Sequence, residues 1–130
     1  MRLRKDVRDW VTKAEEDYAV VQALRRRRKP SFNNALCFHA QQCAEKYLKA
    51  LLVQSRVTFP KTHDVLELLE RARPIAPHLV LLKPFLEYLE PFAINFRYPG
   101  EFATRAEAQR AVRRLLHVRS AIRLELGLPS

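Results

Sequence analysis

Glycine is almost absent from this 130-residue chain: Gly100 and Gly127 are the only two. So little Gly leaves few Asn-Gly or Asp-Gly turn signals, which argues against a sheet of tight hairpins and for helices. It also excludes a glycine-rich phosphate loop. Cysteine is nearly as scarce. Cys37 and Cys43 lie six residues apart in a helical stretch and point to different faces. They read as small buried hydrophobes, neither a disulfide nor a metal pair, and place the chain in a reducing compartment, the cytoplasm. No apolar run reaches about 18 residues, so no membrane span is expected. The charged start, MRLRKDVRDW, is followed by no apolar core of a signal peptide. His39, His63, His78 and His117 show no helical pairing with one another or with the cysteines, so no metal or cofactor site is expected. None of the serines has the surroundings of a nucleophile. Acidic residues are also in deficit. Fourteen face 24 Lys and Arg, a net charge of +10, which suggests an acidic partner, nucleic acid or nucleotide first.

What is present is helix. The chain is organised around Ser31 to Val53, without Gly or Pro. Phe32, Ala35, Leu36, Cys43, Tyr47 and Leu51 make one apolar side; Phe38, Ala44, Leu48 and Leu52 make another. A helix with two apolar sides is buried along much of its surface, with Ser31 as its expected N-cap. A first helix is predicted from about Arg4 to Arg28, with a stripe of Val7, Trp10, Val11, Ala14, Tyr18 and Val21. Lys13, Glu15, Glu16 and Asp17 are expected mostly off that stripe. The helix ends in the run Arg25 to Lys29, more cations than a C-terminus requires: a solvated charge run, or a phosphate-contacting patch. Thr62 is the expected N-cap of a third helix, Asp64 to about Ala72. A fourth runs from Pro77 to Glu90, kinked or split by Pro84. Residues 91–102 are aromatic-rich and should be packed down by Phe92, Phe96, Tyr98 and Phe102, holding Arg97 in place. A capping box, Thr104 with Glu107, opens a last helix from Arg105 to about Leu126, closed by Gly127. The expected fold is all-α: a single domain over residues 1–130, an up-and-down bundle of four long helices plus a short fifth.

The polar minority of the central helix carries the chemistry. His39, Gln42, Lys46 and Lys49 fall on one stripe, and Gln41 and Glu45 on the next. The stripe is either the solvent face, with Glu45 and Lys49 as an i, i+4 pair, or one wall of a polar cleft. Antiparallel packing would bring His63 towards the C-terminal half of this helix. Lys46 and Arg97 suit phosphate, Gln42 a base edge, and Tyr98 base stacking. The candidate nucleotide- or RNA-binding residues are therefore His39, Gln42, Lys46, Lys49, His63, Arg97 and Tyr98.

The run FHAQQCAEKYLKALLV (residues 38–53) resembles the signature helix of the HEPN domain family. PKTHDVLELL (60–69) does so too, as does Arg97-Tyr98-Pro99 ahead of an Ala-rich last helix; Trp10 and Ala14 also fit. The resemblance covers nearly the whole chain. It implies a four- to five-helix bundle that commonly forms a homodimer, often beside a small nucleotidyltransferase in a toxin–antitoxin pair. In related branches the HEPN protein is a metal-independent RNase carrying Arg, four to six residues, then His. No His follows Arg97 at that distance. The spacing occurs at Arg56 with His63, Arg71 and Arg73 with His78, and Arg110 with His117, none of them where the RNase branch places it. The expected function is thus nucleotide or RNA binding beside a nucleotidyltransferase, with no catalysis assigned. Two alternatives stand: an RNase toxin with Arg97 and His63 combined at a dimer interface, and a non-catalytic protein-interaction module.

Overall fold

The computed structural model describes residues 2–96 and 98–130. Its helices are α1 (Lys5–Arg27), α2 (Asn33–Gln54), α3 (Val65–Ala72), α4 (Lys83–Leu89) and α5 (Arg105–Glu125), with no strand among the described residues. The expected all-α bundle is what forms. α1 and α2 make an antiparallel hairpin, α5 packs along the other side of α2, and α3 and α4 close the remaining flank. More than half of α2 is buried. Tyr47, Leu48 and Leu52 are fully enclosed with Leu68, Leu86, Leu115 and Ile122. Each such side chain contributes about 1.5–3 kcal/mol on leaving water.

The helix ends depart from expectation in two places. Ser31 does not cap α2. Pro30–Phe32 forms a 3-10 turn leading into α2, and Phe32 stands at the cap without a side-chain bond. Pro30 has no N–H to satisfy, so one donor fewer needs a partner. At the other end of α2 the Arg4 guanidinium donates to the carbonyls of Val53 (2.6 Å) and Gln54 (3.5 Å). Thr62 does not cap α3 either. Asp64 does, its carboxylate accepting from the N–H groups of Leu66 and Glu67 at 3.0 and 3.2 Å. An ionised acceptor is favoured over a hydroxyl at the positive end of a helix; Thr62 Oγ1 accepts from the Asp64 N–H instead. The fourth helix is split as Pro84 allowed: a 3-10 stretch over Pro77–Leu82, then α4 with Pro84 in its first turn, then a 3-10 turn over Glu90–Ala93. The capping box of α5 forms, with Thr104 and Glu107 exchanging bonds at 2.9 and 3.0 Å. Gly127 ends the helix at φ 75°, where a side chain would be strained.

The aromatic segment is anchored differently from the expectation. Phe92 is buried and Phe96 stacks on it, with ring centres 5.8 Å apart. Tyr98 and Phe102, by contrast, are three-quarters exposed. The second anchor is Asn34 of α2, which accepts from the Ala103 N–H (2.6 Å) and donates to the Glu101 carbonyl (3.1 Å). A buried backbone takes whichever partner reaches it, and here an amide side chain does so in place of two rings. Arg97 lies outside the described residues.

Candidate functional site

Two carboxylates organise the polar residues of α2. Asp17 of α1 sits opposite His39 and Lys46: its Oδ1 is 2.8 Å from His39 Nδ1, and its Oδ2 accepts from Lys46 Nζ at 2.6 Å. Burial raises the Asp17 pKa, but the hydrogen bonds and charges of His39 and Lys46 outweigh it and hold the carboxyl below its ordinary value. Glu45, on α2 itself, is the second centre. Lys49 Nζ donates to it at 3.1 Å, and His63 Nδ1 lies 3.1 and 3.3 Å from its two oxygens. The Gln41 amide reaches the His63 carbonyl (3.0 Å) and Glu45 (3.4 Å), and Gln42 donates to Gln41 (2.7 Å) and Glu45 (3.4 Å). Lys49 Nζ also lies 5.3 Å from the Trp10 ring centre, within cation–π range.

The expected stripe therefore divides. His39 and Lys46 face α1, and Lys49 turns to Glu45 with its side chain only 7% exposed. Gln42 lies between the two groups. His63 does come to α2, at Gln41 and Glu45 in mid-helix, with its side chain 72% exposed. Tyr98 is on the surface. Neither the plain solvent face nor an open cleft describes this seam. Gln41, Glu45 and Lys49 are buried and mutually bonded, and the solvent-side edge consists of the exposed His63 and the half-buried Gln42, His39 and Lys46. Among the described residues, no buried side-chain nitrogen or oxygen lacks a partner.

A third network lies on the far side of α2. The Tyr47 hydroxyl donates to Glu15 (2.6 Å), Arg119 of α5 grips Glu15 with two bonds of 2.8 and 2.9 Å, and Arg123 donates to the Tyr47 hydroxyl at 2.9 Å. Arg119 also lies 3.8 Å from the Tyr18 ring centre. Burial opposes ionisation of Glu15, yet the Arg119 and Tyr47 hydrogen bonds and the two guanidiniums bring its pKa below the ordinary value. Burial and the Glu15 contact push the Tyr47 phenol up.

Glu15 and Asp17 are the residues that sequence reasoning misplaced, since both turn inward. A signal existed. Asp17 stands three residues after Ala14 and four before Val21, both fully buried, so it lies on the heptad stripe of α1. Glu15 likewise sits between Val11 and Tyr18. The run of three acidic residues, Glu15 to Asp17, hid the spacing.

In chemical terms the seam holds imidazoles in fixed orientations. An ionised carboxylate only accepts, so Nδ1 of His39 and of His63 carries the proton towards it. Nε2 is then the nitrogen left for a ligand, an acceptor in the neutral ring and a donor when protonated. Lys46 and Lys49 are cancelled in charge by Asp17 and Glu45, so the seam is a hydrogen-bonding edge and not by itself a cation cluster. The cysteines are free and buried; burial raises Cys37 to about 12 and Cys43 further, keeping both thiols protonated. Among the described residues no group of His, Cys, Asp and Glu has the arrangement of a metal site, and no helix is long and apolar enough to cross a membrane.

Three long helices around a buried polar seam, closed by two short helices, define a small α-helical bundle of the kind that carries its site on helix faces. The family model of the HEPN domain matches residues 7–124, and the chain belongs to the HEPN domain family. The match takes in every residue of the seam and nearly all of the five helices. No curated protein and no solved structure matches the chain.

Proposed function

We propose that this HEPN-domain protein binds a nucleotide or RNA along the solvent-side edge of the seam. His39, Gln42, Lys46 and His63 offer hydrogen bonds, while Lys49 acts from below by holding Glu45. Arg97 would add a phosphate contact, and Tyr98, on the segment that Asn34 ties to the start of α2, a stacking face for a ligand that extends past the seam. The observation that carries this is the exposed His63 imidazole fixed by the buried Glu45. Glu45 is already partnered by Lys49 and Gln41, so orienting a surface ring adds little to folding and leaves Nε2 aimed outward. The strained backbone of Phe96, φ 67°, adjoins Arg97 in sequence; strain of about 1–3 kcal/mol is retained where a surface must be pre-shaped. The protein acts in the cytoplasm as a homodimer beside a small nucleotidyltransferase, in a toxin–antitoxin-like pair. The test is thermal melting with mononucleotides and with single-stranded RNA. A ligand at one hundred times its Kd stabilises by about 2.7 kcal/mol, and His63→Ala and Arg97→Ala should reduce that gain. No stabilisation by either ligand leaves the seam as a protein-interaction face.

The same imidazole favours a second reading. A carboxylate-oriented His with a free Nε2 suits removal of the proton from an RNA 2′-hydroxyl. An RNase combining His63 with Arg97 across a dimer would cut labelled single-stranded RNA without added metal, and His63→Ala or Arg97→Ala would stop the cutting while the protein stays folded. Intact RNA with the wild type removes this reading.

A further inference from the structure

The charge excess is not located in the seam. Part of it gathers at the far end of α1, where a cleft of about 470 Å3 lies between the α1 C-terminus, the start of α2 and the first turns of α5. Arg25, Arg28 and Lys29 line it from one side and Arg105 and Arg113 from α5, with Asn33 of α2 also in the lining. Its buried members are Leu36, Ala108 and Val112. All five cations are exposed. Among the described residues none of them forms an ion pair, whereas Arg4, Arg71, Arg73, Arg119 and Arg123 all do. Five like charges around one concavity repel each other and gain only when an anion enters.

Two placements run against folding preference. Arg28 caps α1 in the left-handed region, φ 53°, where glycine is favoured. Arg105 is the first residue of α5, where the helix dipole disfavours a cation and favours an anion. A segment with exposed aromatic rings is tied to the cleft. Asn33 donates to the Ala103 carbonyl at 3.3 Å, which ties the cleft lining to the segment carrying the exposed rings of Phe102 and Tyr98. Cations along a groove with unpaired rings beside it are what a single strand of nucleic acid uses: phosphates in the groove, bases stacked on the rings. An acidic peptide would explain the cations but not the two exposed aromatics.

We infer that this cleft holds the phosphodiester backbone of single-stranded RNA, with Phe102 and Tyr98 stacking the adjoining bases. The inference rests on the RNA arm of the proposed function and locates the electrostatic part of binding outside the seam. The experiment is fluorescence anisotropy of a labelled oligouridylate of about ten nucleotides, titrated with full-length protein across a salt series. Arg28→Gly with Arg113→Gln is expected to weaken binding about tenfold and to flatten the salt dependence by about 0.7 in slope for each phosphate no longer neutralised. Arg28→Gly relieves the left-handed strain, so melting should be unchanged or higher, and weaker binding is then not a failure to fold. Phe102→Ala should weaken binding about 5- to 100-fold with the slope unchanged. Wild-type affinity and slope in the cleft variants would overturn the inference while leaving RNA binding intact. Stabilisation by mononucleotides without oligonucleotide binding would overturn it while leaving the nucleotide arm intact. Displacement of the RNA by polyglutamate at equal charge would assign the cleft to an acidic protein and overturn it. Loss of binding in the cleft variants but not in His63→Ala or Lys46→Ala would support the cleft and remove the seam as the RNA site.

Discussion

Single residues decide whether the seam is a liability or an asset. Glu45 and Lys49 are both buried and bonded to each other. Removing one charge leaves the other desolvated without a counter-ion, which costs about 3–5 kcal/mol, while replacing both with apolar groups can be neutral. Glu45→Gln should therefore lower stability in urea by about that amount, and Glu45→Gln with Lys49→Met should recover most of it. A double variant as unstable as the single one would show that the pair is not coupled as drawn. Asp17 and Glu15 govern the acid limb. Both have folded pKa values below their ordinary values of 3.8 and 4.5. Their contribution is complete above those values and is lost as the pH falls through the lower folded values. Stability from this source should be level from neutral pH down to about pH 5 and decline below about pH 4. Asp17→Asn should lose about 1–3 kcal/mol at neutral pH, because the amide keeps one acceptor oxygen but sets an NH2 against the other of the two donors and removes the charge facing Lys46, and should show a shallower acid decline.

At the scale of elements, helix ends show how local chemistry is selected. Thr104 and Glu107 satisfy each other reciprocally, and the spacing alone made that legible. Thr104→Ala should cost about 1 kcal/mol, read as a lower urea midpoint without a change in slope. Asp64 in place of Thr62, and a 3-10 turn in place of a Ser31 cap, were less legible because neighbouring residues compete for the same backbone donors. Which one wins depends on where the preceding loop delivers the chain. The helix faces behaved similarly. The apolar stripe of α1 was plain from Val7, Ala14 and Val21. The inward turn of Asp17 on that same stripe was masked by its charge, since only a facing His and Lys make its burial tolerable.

For the whole molecule, α2 is the common wall of every packing layer, so damage there should be global. Leu48→Ala, at a fully buried position, should cost about 2–5 kcal/mol and lower the single unfolding transition by circular dichroism. The proposed homodimer is a separate matter: sedimentation at micromolar concentration should give twice the chain mass of 15.3 kDa, and a species of monomer mass would refute it. The two proposed regions, the seam and the basic cleft, differ in electrostatics. One is charge-balanced and the other carries unpaired cations, so high salt should suppress what the cleft binds more than what the seam binds.

The sequence by itself determined the helices, the burial of α2, the break at Pro84, the α5 capping box and the family. Those follow from periodicity, from the two residues with special backbones, and from motifs contiguous along the chain. Only the tertiary structure decided which polar residues face each other. Asp17 and His39 are 22 positions apart, as are Gln41 and His63, and Glu15 is 104 from Arg119. It also decided that Tyr98 and Phe102 stay exposed, and that Arg25, Arg28 and Lys29 meet Arg105 and Arg113 across one cleft. A pattern along a helix gives the direction a side chain takes, whereas its partner is set by how helices pack, and that depends on every residue in the interface together.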